Sequence, residues 1–261
     1  MRCRGRPPGP IKRRLFHPGA SGTPPPTVGS MKMHSQYSER LWLWFFPRRC
    51  VWCAGVCEPE AMLCADCAGA AGPMLEAELL PETGIPLVSV FTYYSKARKI
   101  LLNFKFHGQK KNAHSIGYAM ADALSVSGFA DKPGWLFCAV PMTSAKVRER
   151  GYNQSELLAA AAARWLGMEP APGLLLKTRE TRAQHGLPRE ERLENIAGAF
   201  AAADPDLIRG RQIVLCDDIC TTGATLREAA RVLKEAGAEE IICLTYLRTD
   251  LSEIEEGNFS I

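Results

Sequence analysis

Between residues 135 and 248, predicted strands alternate with predicted helices. The segments WLFCAVP, RQIVLC and EEIICLTYL have the apolar character of buried strands, and PLVSVFTYYS upstream is rich in β-branched and aromatic residues. The segments NQSELLAAAAARWLG and LREAARVLKEAG are predicted helices that end at Gly167 and Gly237. Such alternation requires right-handed crossovers and predicts a mainly parallel sheet flanked by helices. Ligands of such sheets bind at the carboxyl ends of the strands.

One of those ends carries the segment VLCDDICTTGAT, residues 214 to 225. The predicted strand from Ile213 to Cys216 ends at Asp217 and Asp218, and the Thr/Gly loop of residues 221 to 225 then leads into a helix beginning near residue 226. A glycine in this loop permits close backbone approach, threonine hydroxyls donate hydrogen bonds, and a helix N-terminus favours negative charge. The loop is therefore predicted to bind a phosphate.

The two carboxylates are suited to a different chemical group from the one that the loop is predicted to bind. They accept hydrogen bonds from hydroxyl groups and bind hard cations such as Mg²⁺. A ligand with a phosphate at one end and a diol with a metal ion at the other would satisfy both halves, and phosphoribosyl pyrophosphate is such a ligand. The alternative is an acidic capping turn whose threonines have no ligand.

Cysteines are concentrated near the amino-terminal end. Of the ten in the chain, five fall within 18 residues, and two Cys-x-x-Cys pairs are separated by ten residues. Each pair can present two thiolates from one tight turn, which predicts a structural, tetrahedral zinc site formed by Cys50, Cys53, Cys64 and Cys67. Cys57 is either a spare thiol or a competitor for one ligand position. Disulfides and a thioredoxin-like redox pair are the less favoured alternatives.

A basic cluster lies in the predicted helical region after the first strand of the main domain. No acidic residue occurs between Glu82 and Asp122, and the cluster comprises Lys96, Arg98, Lys99, Lys105, Lys110 and Lys111. Lys105, Lys110 and Lys111 are candidate contacts for nucleic acid, because lysines neutralise phosphates. The alternative is a solvated charged face. Beyond residue 38 the chain holds 25 basic and 28 acidic residues, so its overall charge does not point to nucleic acid.

The domain organisation expected from these patterns has three parts. Residues 1–37, rich in Pro, Gly and Arg, are predicted to be disordered or to precede a later start at Met31 or Met33. Residues 38–72 are predicted to form a short helix ending near Pro47 and the four-cysteine module, and residues 86–250 the main domain. The most apolar run, Leu41 to Phe46, is far shorter than the about 20 residues that cross a bilayer as a helix. A cytoplasmic protein without a membrane span is therefore expected.

Four motifs, taken together, resemble one family. The segment IVLCDDICTTGAT resembles the signature of type I phosphoribosyltransferases. The segments VPMTSAKVRERGYNQSELLA and TRAQHGLPREERLENIAGAF are similar to motifs of the ComF/GntX family, with Tyr152 at a position where Phe is usual. A four-cysteine module before the transferase domain is also that family's arrangement. The resemblance covers residues 38 to 248.

This resemblance implies a type I phosphoribosyltransferase fold with a small, zinc-ribbon-like amino-terminal module. It also implies that Asp217 and Asp218 contact the ribose hydroxyls and that the loop binds the 5′-phosphate through Thr221, Thr222, Gly223, Ala224 and Thr225. The loop near residues 141–146 would bind pyrophosphate, and residues 178–192 would close over the site. The candidate pyrophosphate and lid residues are Ser144, Lys146, Arg150, Arg182 and Arg192. Each arginine could instead form an ordinary surface ion pair.

Two functions follow from the resemblance. The first is Mg²⁺-dependent transfer of a phosphoribosyl group from phosphoribosyl pyrophosphate to an unknown acceptor, in a protein with a role in DNA uptake and natural transformation. The second is a competence protein without catalytic activity that binds single-stranded DNA or a partner protein of the competence machinery and uses the site to sense a ligand.

Overall fold

The computed structural model describes residue 50 and residues 55–58, 63–70, 76–92, 95–106, 112–129, 134–182 and 189–249. The predictions for residues 1–37, for the short helix before Pro47, and for Cys53, Lys110 and Lys111 lie outside these residues. Within the described ranges, no helix has the length and apolar character needed to cross a membrane.

A twisted sheet forms the centre of the domain. In the described part of the chain its strands are β1 (Glu76–Leu79), β2 (Pro86–Thr92), β3 (Leu136–Ala139), β4 (Glu169–Pro170), β7 (Gln212–Cys220) and β8 (Glu240–Arg248), in the order β1-β2-β8-β7-β3-β4. Every neighbouring pair is parallel except β1 and β2. A separate antiparallel pair is formed by β5 (Leu175–Lys177) and β6 (Phe200–Ala202). The predicted, mainly parallel sheet is confirmed.

Helices lie on both faces of the sheet. They are α1 (Ala65–Ala70), α2 (Ser95–Phe106), α3 (Asn112–Val126), α4 (Ser144–Arg150), α5 (Gln154–Leu166), α6 (Arg189–Ile196) and α7 (Ala224–Glu235), with a 3₁₀ turn at Pro205–Leu207. Successive residues of a strand point to opposite faces. On β7, Val214 and Cys216 accordingly join the apolar core with α2, α3 and α5, whereas Ile213 and Leu215 join the core with α7.

The central strand β7 is longer than its apolar run predicts. It was expected to end at Cys216, but pairing with β8 continues to the partners Cys220 and Arg248, so the acid pair lies within the strand. Likewise α7 begins at Ala224, two residues before the predicted start. Its last residue is Glu235, and Gly237, with a φ of 93°, follows the C-cap Ala236 and terminates the helix as predicted. The predicted end of α5 is confirmed, since Gly167 caps it in the left-handed conformation.

Candidate functional site

The acid pair lies toward the carboxyl end of β7, between the parallel neighbours β3 and β8. Asp217 is half-buried, and Asp218 is buried, with 7% of its surface exposed. The loop that follows β3 meets the same edge of the sheet, because the Val140 N–H donates to the Cys216 carbonyl at 2.9 Å. The site is thus built where loops of neighbouring parallel strands gather.

Each acid has its own side-chain partner. Ser155 Oγ, in the first turn of α5, donates to Asp217 Oδ1 at 2.8 Å, and that oxygen also accepts from the Asp218 backbone N–H at 2.8 Å. Lys105 Nζ, in the last turn of α2, lies 2.9 Å from Asp218 Oδ2. The two carboxylates are therefore held by donors from two different helices.

Burial changes the protonation of Asp217. Loss of solvation raises its pKa to about 7, and the nearby charge of Asp218 adds to this rise. The hydrogen bonds from Ser155 and the Asp218 backbone, and the charge of Lys105, act in the opposite direction. A ligand that donates hydrogen bonds, or a cation, would favour the ionised form of this carboxyl.

The predicted phosphate loop, residues 221–225, connects the end of β7 to the first turn of α7. Gly223, which precedes α7, has a φ of 75°, and a Cβ atom at this position would lie 2.8 Å from Leu80 Cδ1. Glycine is therefore required by both conformation and space. Thr222 is buried and accepts from the Ala224 N–H at 3.4 Å, and the N-cap residue of α7, Gly223, makes no side-chain cap hydrogen bond. The partial positive charge of the helix N-terminus consequently faces this loop.

Two arginines donate hydrogen bonds to Thr221 of the predicted phosphate loop. Arg192, on α6, is buried, and its Nη1 donates to Thr221 Oγ1 at 3.4 Å. Arg248, at the end of β8, donates from Nη1 to the Thr221 carbonyl and from Nε to Glu78 Oε1 at 2.6 Å. Burial lowers the pKa of Arg192, so its charge would be stabilised by an added anion. Of the predicted lid residues, Arg192 is thus in contact with the phosphate loop.

Other cations lie on the side of the site formed by α4 and β5. Thr143 Oγ1 accepts from the Lys146 N–H at 3.5 Å and thereby caps α4, in which Lys146 is half-buried and Ser144 is exposed. The pKa of Lys177 is lowered, first by burial and then by the charge of Lys146, while Glu180 and Asp217 oppose this shift. Lys146, Lys177 and Asp217 therefore lie close enough for their charges to interact.

The remaining candidate arginines make other contacts. Arg150 Nη1 lies 3.5 Å from Gln154 Oε1 at the start of α5. Arg182 is exposed, and its backbone N–H and carbonyl both bond to the Asn195 side chain at 3.0 Å. Those two hydrogen bonds attach the beginning of the predicted lid segment to α6.

Three of the four predicted metal ligands converge. The sulfur atoms of Cys50, Cys64 and Cys67 all lie within 4.8 Å of one another, and Cys53 is outside the described residues. The Cys50 N–H donates to the Gly55 carbonyl at 2.7 Å. Among the described residues, Cys57 does not belong to this sulfur group. The donor set fits a tetrahedral zinc ion, whose bonds to thiolates are about 2.3 Å long.

The carboxyl-terminal part of the chain matches the model of the phosphoribosyl transferase domain, over residues 154–256. The chain is 35% identical over 103 residues to competence protein F of Haemophilus influenzae, which covers 39% of this chain and 45% of that protein. It is 28% identical over 165 residues to competence protein ComFC of Streptococcus pneumoniae, which covers 63% of this chain and 69% of that protein. In these regions the chain is similar to competence proteins, and its carboxyl-terminal part matches the phosphoribosyl transferase domain.

The chain is also 29% identical over 207 residues to DNA utilization protein YhgH of Salmonella typhi, and the match covers 77% of the chain and 90% of that protein. With competence protein F the match spans about half of the relative's length. Among solved structures, an adenine phosphoribosyltransferase is similar at 14% identity and a TM-score of 0.35, over 74% of this chain and 94% of that one.

Several side chains near the acid pair and the loop after it were not among the predicted site residues. Ser155 follows directly on the GYNQ motif, which is the signal that could have indicated it. Arg248 lies at the carboxyl end of β8, where parallel sheets bind ligands, and Lys177 lies at the end of β5 in the antiparallel pair. The sequence carries no local motif around either residue. Lys105 was predicted to contact nucleic acid, and in the structure its ammonium group lies 2.9 Å from Asp218 Oδ2.

Proposed function

We propose that the protein binds phosphoribosyl pyrophosphate together with Mg²⁺ and transfers the phosphoribosyl group to a nitrogen nucleophile, releasing pyrophosphate. One observation carries the proposal: a pair of carboxylates lies near the end of the central strand β7, and a loop leads directly from that strand into α7, whose N-cap is Gly223. The loop suits a 5′-phosphate, and the carboxylates suit a diol and its metal ion. The acceptor is not specified by any of these contacts.

The phosphate end of this ligand would be held by the loop of residues 221–225. Gly223 brings the backbone close, and the hydroxyls of Thr221, Thr222 and Thr225 add donors. Arg192 already donates to Thr221, so a phosphate at the loop would also gain a buried guanidinium group nearby. Phosphate binding would therefore connect the loop with α6.

The ribose end would be held by the acid pair. Asp217 and Asp218 would accept hydrogen bonds from the ribose hydroxyls, and Mg²⁺, when bound, would neutralise charge on the pyrophosphate. The ionised form of Asp217 is the better acceptor. Because the pKa of Asp217 is raised to about 7 by burial and by Asp218, ligand affinity should increase as the pH rises through neutrality.

The departing pyrophosphate would need cations beside the acid pair. Lys146 and Lys177 are suited to this role. An anion would offset both the repulsion between the two lysines and the cost of desolvating the ammonium group of Lys177. Ser144, Arg150 and Arg182 remain proposed contacts for the closed state of the lid, residues 178–192. Closure would exclude water from the developing ribosyl cation.

The amino-terminal module is proposed to hold a structural zinc ion. The three converging thiols support this assignment, and Cys53 is proposed as the fourth ligand. A segment this short has almost no apolar core, so the metal would supply much of its folding free energy. Four thiolates leave no open position for catalysis.

The biological setting is proposed from the relatives. Proteins named for competence and DNA utilization match this chain, which supports a role in DNA uptake and natural transformation in the cytoplasm. In the alternative function, the protein would bind single-stranded DNA or a partner protein and use the phosphoribosyl site as a sensor. Lys110 and Lys111 remain the proposed nucleic-acid contacts.

A screen of acceptors distinguishes the two functions. The purified protein is incubated with phosphoribosyl pyrophosphate, Mg²⁺ and a panel of nucleobases and amines, and pyrophosphate release is measured. The Asp217→Asn, Asp218→Asn double variant is the control for background hydrolysis. Release that depends on one acceptor and on the acid pair supports transfer. No release with any member of the panel, despite binding of the donor, favours the sensing function.

A further inference from the structure

The side chain of Lys105 contacts the acid pair and is largely shielded from solvent. It belongs to the last turn of α2, its Nζ lies 2.9 Å from Asp218 Oδ2, and only 19% of its side chain is exposed. Asp218 is covered to a similar degree, with 10% of its side chain exposed. A lysine that binds DNA phosphates would present its ammonium group to solvent, so this placement favours a role inside the site.

The end of α2 is fixed in place by a second contact. Phe104, the residue before Lys105, is fully buried, and its backbone carbonyl accepts a hydrogen bond from the Tyr152 hydroxyl. The two rings also pack at a centroid distance of 5.7 Å. Tyr152 lies just before α5, whose Ser155 reaches Asp217. The contact between Tyr152 and Phe104 therefore links the end of α2, which carries Lys105, to the start of α5, which carries Ser155.

The ammonium group of Lys105 occupies one carboxylate oxygen of Asp218, Oδ2, which would otherwise be open to a metal ion. A divalent cation needs carboxylate oxygens as ligands, and Asp218 Oδ2 is already neutralised by a positive charge at hydrogen-bond distance. A metal ion that approaches this oxygen meets the repulsion of the lysine as well as the loss of the ion pair. An anionic ligand removes this obstacle, because its phosphates offer the ammonium group a new partner.

We propose that Lys105 is the internal cation of the phosphoribosyl site, which keeps divalent metal off Asp218 until an anionic ligand draws the lysine away. The inference rests on the proposed function for the identity of that ligand. Tyr152 is a positioning residue that acts through the end of α2. Metal and ligand would consequently enter together, and metal alone would bind weakly.

The test measures metal binding in the absence of any phosphoribosyl ligand. Mn²⁺, a paramagnetic substitute for Mg²⁺, is titrated into the full-length protein, and the free ion is followed by electron paramagnetic resonance. Lys105→Met should bind Mn²⁺ about tenfold more tightly than the wild type, since a charge pair must no longer be broken. Lys105→Gln should show the same gain, and Lys105→Arg should restore weak binding. Tyr152→Phe should give a smaller gain.

Two controls locate the effect. Lys234→Met removes an exposed lysine whose Nζ bonds to the Glu239 carbonyl at 2.9 Å, and it should leave Mn²⁺ affinity unchanged. Adding Asp218→Asn to Lys105→Met should abolish the gain, because the gained affinity depends on that carboxylate. Circular dichroism checks that each variant is folded.

The outcomes separate this inference from the proposed function. Equal Mn²⁺ affinity of wild type, Lys105→Met and Lys105→Gln overturns the role of Lys105, even if phosphoribosyl pyrophosphate binds. A gain that persists after Asp218→Asn also overturns it. A gain that depends on Asp218, in a protein that does not bind phosphoribosyl pyrophosphate, supports the role of Lys105 and contradicts the proposed function.

Discussion

Ser155 Oγ donates a hydrogen bond to Asp217 Oδ1 at 2.8 Å, and this contact joins the first turn of α5 to the central strand. The bond opposes the effect of burial on Asp217, because it stabilises the ionised carboxylate. Ser155 is buried, so water cannot easily replace its hydroxyl. The hydrogen bond from Ser155 is therefore one of the contacts that lower the pKa of Asp217 against the effects of burial and of the Asp218 charge.

Replacing Ser155 with Ala should raise the pKa of Asp217 further. Because the ionised carboxyl is the form that accepts hydrogen bonds from a diol, the pH midpoint for binding of phosphoribosyl pyrophosphate should move upward. Calorimetric titrations between pH 6 and 9 measure this midpoint, and Ser155→Thr, which keeps the hydroxyl, should preserve it. An unchanged midpoint in Ser155→Ala would show that the hydroxyl does not tune the acid.

The stability of the ligand-free protein should depend on Asp217 in a defined direction. Its folded-state pKa of about 7 lies above the ordinary value of 3.8, so the folded state binds more protons than the unfolded state between these values. The contribution of Asp217 to the free energy of unfolding is therefore fully present below pH 4 and is lost as the pH rises to about 7. The slope from one such group is at most about 1.4 kcal/mol per pH unit.

Urea unfolding at a series of pH values measures this contribution. As the pH rises from 4 to 7, the wild type should lose stability relative to Asp217→Asn. Above pH 7 the difference in the free energy of unfolding should level off. A difference that is independent of pH in this window would contradict a raised pKa for Asp217.

Gly223→Ala should destabilise the protein by about 2 kcal/mol, since it combines a strained φ with a close contact in the core. The added Cβ would lie 2.8 Å from Leu80 Cδ1, and Leu80 is fully buried. Gly210→Ala is the matched control, because Gly210 has a φ of 69° but no atom within 4 Å of a Cβ. Thermal or urea unfolding should show a larger loss for Gly223→Ala, and equal losses would mean that the contact with Leu80 relaxes without cost.

Local patterns in the sequence predicted the parallel strands and the phosphate loop. Apolar runs such as residues 213–216 and the acid pair beside a Thr/Gly loop are properties of short segments, and the structure keeps them in sequence order on β7 and α7. The true ends of these elements depend on partners. Pairing with β8 extends β7 to Cys220, and no single-segment pattern contains that information.

The contacts that complete the site are long-range, and the sequence does not reveal them. Ser155 and Asp217 are separated by 62 positions, and Lys105 and Asp218 come from opposite ends of the domain. A basic run could equally be a solvated face, a nucleic-acid contact or, as observed for Lys105, the partner of a buried acid. The antiparallel edge strand β1 and the β5–β6 pair were likewise not predicted, because their segments are short.

Metal content should depend on Cys67 and not on Cys57. Cys67→Ser removes one of three converging sulfurs, and should reduce zinc to well below one ion per chain and destabilise the amino-terminal module. Cys57→Ser should retain a full complement of zinc, since its sulfur lies outside that group. Elemental analysis of protein purified without added zinc measures both variants. If Cys57→Ser loses its zinc and Cys67→Ser retains it, Cys57 is the metal ligand in place of Cys67.

The central claim is that Asp217, Asp218 and the loop after them form one site for phosphoribosyl pyrophosphate. Isothermal titration calorimetry of the purified protein with this ligand in the presence of Mg²⁺ tests it most directly. Saturable binding is expected for the wild type, together with a loss of at least about tenfold in affinity for the Asp217→Asn, Asp218→Asn double variant. No binding by the folded wild type, or equal binding by the double variant, would contradict the account.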